Sequence, residues 1–213
     1  YLQLTITESV NVAANTSTLT WTLTSAGGSA VYYTVDATTV TINGTTVYSK
    51  ARTSWEDRVF PAAKGSVSGT ITVSHNSDGT KSVAVGFSTR VYIYGPLEYG
   101  GTMTLTNIDR TAPTVSCSVS GITASGFKIT ANSSATADIW QYSLNGGSSW
   151  TQFSTTAGTT ASITLSSLSA NTSYSVRTRA RKKSNQVYGA SGTVSAKTLG
   201  GAILNSCNTV TAD

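Results

Sequence analysis

The chain has 213 residues, about a third of them Ser or Thr and only 11% charged. Such a composition suits strands and turns, is poor in strong helix formers, and predicts a protein with almost no helix. The formal net charge of +5 rests on few side chains, too few to define a nucleic-acid binder without clustering, and no apolar run approaches the roughly 18 residues of a membrane-spanning helix.

The length allows two domains of about a hundred residues, each large enough to bury a core without disulfides or metals. Residues 1–107 read as a series of short strands. Leu2, Leu4 and Ile6 alternate with polar residues, and Leu19, Trp21 and Leu23 do the same. Val40 and Ile42 lead into Asn43-Gly44, a type I′ hairpin signal. Ile71 and Val73 lead to Asn76-Ser77-Asp78-Gly79, read as a second hairpin, after which Val83, Val85 and Phe87 return and Met103 and Leu105 finish the domain. Strands at this density with one apolar face each predict a two-sheet sandwich of jelly-roll character.

Residues 108–113 form the expected linker, where Pro113 forces extended geometry on its predecessor and no apolar alternation crosses. A second domain follows over 114–199. Val115 to Val119 gives a first strand, Phe127 and Ile129 a second, and Trp140 to Leu144 a third that turns at Asn145-Gly146-Gly147. Trp150, Phe153, Ile163, Leu165, Val176 and the run Val194 to Thr198 continue the alternation. Leu168, Thr172 and Tyr174 have the spacing of a tyrosine corner, whose hydroxyl turns back onto backbone a few residues upstream. On these residues the second domain resembles a fibronectin type III-like module, with Ala170 where that family usually has Pro. The expected class is therefore all-β, with two consecutive antiparallel β-sandwiches, the first jelly-roll-like and the second fibronectin type III or immunoglobulin-like. Residues 200–213 read as the start of a further module or a tail, and the chain as an excerpt of a longer one.

The first domain carries an ordered set of motifs: Asn15-Thr16-Ser17 leading into Leu19-Thr20-Trp21, Thr39 to Gly44, Phe60 to Gly65, and His75 to Lys81. In this order they resemble the repeated β domain of tail-associated minor structural proteins of siphophages that infect Gram-positive bacteria. The resemblance covers about the first hundred residues. It implies a virion component at or near the tail tip that works by adhesion or spacing, assembled in the host cytoplasm and extracellular when it acts. The implied partners are other tail proteins, further copies of the chain and host-surface glycans, with neither nucleic acid nor membrane insertion. The alternative is a set of non-catalytic sugar-binding or spacer modules from a secreted bacterial enzyme or adhesin.

Catalysis is not expected. His75 is the only histidine, so any serine or cysteine mechanism would run through it, and its turn-forming neighbours suggest a solvated ring. Zinc needs about four N or S ligands, which one His and two distant Cys do not supply. Asp78 and Asn76 lack the further carboxylates of a tight calcium site. No cofactor is implied. Cys117 and Cys207 fall at opposite poles of the expected sandwich and are not expected to bond.

Arg177, Arg179 and Arg181 share one strand face by alternation, followed by Lys182 and Lys183. The simpler reading is a solvated face whose alkyl stems cover neighbouring strands; the other is attraction to an anionic polymer. The better binding candidate is the segment Arg90 to Tyr99. Parity puts Val91 and Ile93 inward and Arg90, Tyr92 and Tyr94 outward. With Tyr99, Trp55 and Arg58 these form the expected glycan surface, flat aromatic faces beside hydrogen-bond donors, unless the same face packs on a neighbouring subunit or domain.

Overall fold

The computed structural model describes residues 2–25, 37–51, 65–91 and 95–201. Among them the protein is all-β, without helix, and it divides into two compact units, Tyr1–Arg110 and Thr111–Asp213.

The first unit contains β1 (Leu2–Asn11), β2 (Thr16–Ser25), β3 (Thr38–Ile42), β4 (Thr45–Lys50), β5 (Ser66–Ser74), β6 (Ser82–Val91) and β7 (Gly95–Thr104). Two antiparallel sheets, ordered β1-β2-β5 and β4-β3-β6-β7, face each other as a sandwich. Period-two alternation does what the sequence implies: Leu19, Trp21 and Leu23 from one sheet meet Val40, Ile42, Val83 and Val85 from the other, all buried. Asn43 and Gly44 both take positive φ, +52° and +75°, as a type I′ turn requires.

Two finer expectations change. Among the described residues the order is immunoglobulin-like rather than jelly-roll: the consecutive pairs β1-β2, β3-β4 and β6-β7 are each neighbours within one sheet, and three described strands face four. The Asn76-to-Gly79 turn is not a hairpin either, because β5 pairs with β2 whereas β6 pairs with β3 and β7. It is a corner that carries the chain between sheets. A close approach of other backbone holds it there. The amide of Ile108 donates to the Gly79 carbonyl at 3.0 Å, and a Cβ on Gly79 would stand 1.8 Å from the Ile108 oxygen.

Register also fixes the two ends of this unit. Thr24 pairs with Ser66, Thr38 with Lys50 and Val91 with Gly95. At the other end the corner at 75–81 joins the close of β5 to the start of β6, and the Glu8 carboxylate joins the close of β1 to Thr106 just beyond β7. Ser25, Thr38, Lys50, Ser66, Val91 and Gly95 therefore share one pole, and the 75–81 corner occupies the opposite pole.

The second unit holds β8 (Val115–Ser120), β9 (Phe127–Ser143), β10 (Thr151–Ser154), β11 (Gly158–Leu165), β12 (Ser173–Lys182), β13 (Tyr188–Ala190) and β14 (Val194–Lys197). The expected second and third strands are one continuous run of 17 residues, β9. Its first half pairs with β8 and β11 and its second half with β12 and β10. No Gly or Pro interrupts Lys128 to Leu144, so the strand runs on unbroken, and near its middle the Ser133 hydroxyl donates to the Ala135 carbonyl at 2.7 Å. Trp140, fully buried, packs with Val115, Ala131, Ala137 and Ala180, while Phe127, Ile129 and Val176 form a second cluster with Leu168 and Tyr174 against it. The corner forms as its spacing predicts, with the Ser169 amide donating to the Tyr174 hydroxyl at 3.1 Å.

Candidate functional site

Of the six residues expected to form a glycan surface, Trp55, Arg58, Tyr92 and Tyr94 lie outside the described residues. Arg90 is exposed on β6, on the face opposite Val83 and Val85. Tyr99 does not join it. Its register partner is Phe87, so the two rings share the inner face, stacked with centroids 6.3 Å apart and planes at 24°. The Tyr99 phenol also lies over Gly101, where a Cβ would stand 2.6 Å from the hydroxyl. An aromatic covering a strand glycine in this way protects backbone that has no side chain of its own. The parity that places Arg90 outward thus places Tyr99 inward, although the ring remains 53% exposed.

That exposure arises where the two sheets part. Between β1 and β7 an apolar groove of about 530 Å³ opens, lined by Leu2, Leu4, Ile6, Phe87, Leu97 and Met103 among others. These are the partly buried apolar residues along the margin of the core.

In the second unit the three arginines do share a face of β12, but their heads are taken up by neighbours. The Arg179 guanidinium sits 4.5 Å from the centroid of Trp150 and 4.8 Å from that of Tyr188, with Nε donating to Gln141. Arg181 grips Asp138 with two bonds of 2.9 Å, and Arg177 donates to the carbonyls of Ser191 and Gly146. The hydrogen bonds from Arg181, outweighing partial burial, hold the Asp138 carboxyl below the usual carboxylate range. All of the formal excess charge belongs to this unit, which has seven basic and two acidic residues against seven of each in the first. The arrangement is close to the simpler sequence reading: stems and rings cover the sheet, and each arginine head is held by neighbours, Arg181 by the Asp138 carboxylate and Arg177 and Arg179 by neutral groups.

His75 departs from expectation. It is 8% exposed rather than solvated, with Nε2 2.8 Å from Ser17 Oγ and Nδ1 2.8 Å from the Gly79 carbonyl oxygen. Ser17 Oγ in turn donates to Glu8 Oε1 at 2.6 Å. Serine, histidine and a carboxylate are therefore in contact, but in the wrong order for nucleophilic catalysis, with the carboxylate on the serine instead of on the imidazole. Ser17 is fully buried, so no substrate reaches its oxygen. No sequence pattern flagged this trio, since its members lie on three separate strands or their ends.

Among the described residues no group of three or more His, Cys, Asp or Glu is placed to hold a metal ion. The Asp78 carboxylate accepts from the amide and hydroxyl of Thr80 at 2.9 and 2.7 Å, which holds it below its ordinary range and ties it to its own turn. Cys117 is a free, half-buried thiol that burial pushes up, and Cys207 lies outside the described residues.

No protein-family model matches the sequence, and no curated protein matches it. Among solved structures the chain is similar to dimeric latent PorU from Porphyromonas gingivalis at 8% identity, with a TM-score of 0.30, over 94% of this chain and 20% of that one.

Proposed function

We propose that this chain is a non-enzymatic, two-module piece of a phage virion structural protein, a tail or tail-tip component that acts as a spacer and makes weak, multivalent contacts with host-surface glycans. The observation that carries the reading is the order of motifs in the first unit; Phe60 to Lys64 lies outside the described residues, and the others occupy positions that define the sandwich. Leu19-Thr20-Trp21 supplies core to β2, Asn43-Gly44 turns β3 into β4, and the His75-to-Lys81 corner carries the chain between sheets. The second unit, closed by its tyrosine corner and with the three arginine heads of β12 held by neighbours, suits a stiff fibronectin type III-like spacer. Other tail proteins and further copies of the chain are the partners of such a spacer.

The adhesive part rests on the first unit's strand ends. The described residues that flank 26–36, 52–64 and 92–94 share one pole, and those stretches contain Trp55, Arg58, Tyr92 and Tyr94. In immunoglobulin-like sandwiches, connections that start and end at a common pole are where ligands are met. Many copies would compensate for a weak single site.

Electron microscopy of phage particles labelled with antibody against this chain tests the assignment; label at the tail supports it, and absence of label from every virion sinks it. A glycan array probed with wild type and with a Tyr92→Ala, Tyr94→Ala variant tests adhesion separately. Binding that the variant loses supports it, whereas no signal from either protein leaves the spacer role alone.

A further inference from the structure

The corner pole of the first unit contains a polar chain, buried at Ser17 and His75 and half-buried at Glu8, whose hydrogens can be counted. His75 Nδ1 faces the Gly79 carbonyl, which only accepts, so Nδ1 carries a hydrogen. The Ser17 hydroxyl has a single hydrogen and two close neighbours, Glu8 Oε1 at 2.6 Å and His75 Nε2 at 2.8 Å. If Nε2 were bare, that hydrogen would satisfy one neighbour and leave lone pairs facing each other at the second. Ser17 is 0% exposed and His75 8%, so water is poorly placed to relieve the clash. Both contacts become hydrogen bonds when one further proton is present, with Nε2–H donating to Ser17 Oγ and Oγ–H donating to Glu8.

Two placements of that proton satisfy the count, on the imidazole or on the carboxyl. Glu8 Oε2 already accepts from the Thr106 amide at 2.9 Å and from its hydroxyl at 2.8 Å. Burial raises the Glu8 carboxyl, but the bonds from Ser17 and Thr106 and the nearby His75 outweigh it and hold the group below its ordinary range. The carboxylate is thus favoured at Glu8.

We propose that Glu8, Ser17 and His75 form a proton-gated latch, complete with an imidazolium at one end and a carboxylate at the other, which holds the segment leading out of the first unit. Glu8 grips that segment at Thr106. His75 grips it indirectly, since the Gly79 carbonyl that accepts from Nδ1 also accepts from the Ile108 amide at 3.0 Å. The Leu105 amide donates to the Lys81 carbonyl beside them. The charged groups around this pole are Glu8 from β1, Asp78 and Lys81 from the corner, and Asp109 and Arg110 from the outgoing segment. Asp78 is turned onto Thr80, and Arg110 donates to the Val12 carbonyl. Ser17 links β2 to the chain and is neutral, as is Asn15 just before β2, whose carbonyl accepts from the His75 amide at 2.9 Å. A change of proton count opens the latch in either direction: a proton gained by Glu8 weakens its acceptance from Thr106, and a proton lost from the chain leaves Ser17 with one hydrogen between two acceptors.

His75 is the only histidine, so nitrogen-15 NMR of the full-length chain reads its ring without ambiguity. Both ring nitrogens should carry a hydrogen at the pH where the latch is closed. Hydrogen-exchange protection of the Thr106 and Ile108 amides, corrected for intrinsic rates, should be greatest there. It should fall as pH rises, by up to about tenfold per pH unit, the slope for one proton lost, with no matching fall for amides of β12. Ser17→Ala should flatten that alkaline fall. A ring protonated at Nδ1 alone where protection is maximal overturns the proposal, even if the variant fails to fold. So does an alkaline fall of equal steepness in wild type and in folded Ser17→Ala.

Discussion

The Tyr174 hydroxyl accepts a hydrogen bond from the backbone amide of Ser169 at 3.1 Å, closing a loop of five residues over the edge of Phe127, whose ring meets that of Tyr174 at 65°. Tyr174→Phe keeps the ring and removes the acceptor. The cost expected is about 1 kcal/mol, the net worth of one such bond, seen as a lower urea midpoint for amides of β12 and β14 with no change in β2. An unchanged midpoint would mean that water replaces the hydroxyl and that the ring alone makes the corner.

Two glycines in the first unit separate backbone strain from steric exclusion. Gly44 has φ of +75° and nothing within 4 Å of a would-be Cβ, whereas Gly79 has φ of +87° and the Ile108 oxygen 1.8 Å away. Gly44→Ala should cost about 1–2 kcal/mol, the strain of a left-handed residue alone. Gly79→Ala adds a collision with backbone that a side-chain rotation cannot relieve, and should cost at least about 2 kcal/mol more. Thermal unfolding of both variants gives the comparison; equal losses would show that the Ile108 segment moves aside without penalty.

The strands were legible because their apolar residues alternate, and the Asn43-Gly44 turn because only a few residue pairs accept two positive φ values. The corner at Asn76 to Gly79 shows where such reading stops. Its local chemistry is that of a tight turn in either case, and whether the flanking strands pair is decided by β2 and β3, which are distant in sequence. The same holds for β9, where a polar stretch without Gly or Pro passes from one set of partners, β8 and β11, to another, β12 and β10, without a break. Among the candidate site residues, parity placed Arg90 on the outer face, but Tyr99 needed the register against Phe87, which pairing across two strands sets. Glu8, Ser17 and His75 carried no local signal, because a side-chain trio assembled from three strands leaves none.

Arg179 lies between two rings, and its planar head is what fits there. Arg179→Ala should lower the stability of the second unit by about 1 kcal/mol, the scale of a partly exposed cation–π contact. Arg179→Lys should recover little of that loss, because an ammonium neither stacks flat on Trp150 and Tyr188 nor keeps the bond to Gln141 at the same reach. Denaturation followed at the Tyr188 and Ala190 amides decides it. Full recovery by lysine would show that charge, not shape, matters at this position.

Asp138 gives the second unit a dependence on acid whose sign follows from its partner. Arg181 bonds to both carboxylate oxygens, with side chains 27% and 21% exposed for Arg181 and Asp138, and holds the folded-state carboxyl below its unfolded value. The stabilisation is therefore fully present above the unfolded carboxylate range, near about 3.9, and is lost as pH falls through the lower folded value. For a pair this accessible it should amount to about 1 kcal/mol or less. Asp138→Asn keeps the shape and removes the charge, so wild type and variant should differ at pH 7 and converge near pH 2. Urea midpoints for amides of β12 at both pH values provide the measurement. A difference that survives at pH 2 would assign the effect to hydrogen-bond geometry with Arg181 and Gln186, and not to the ion pair.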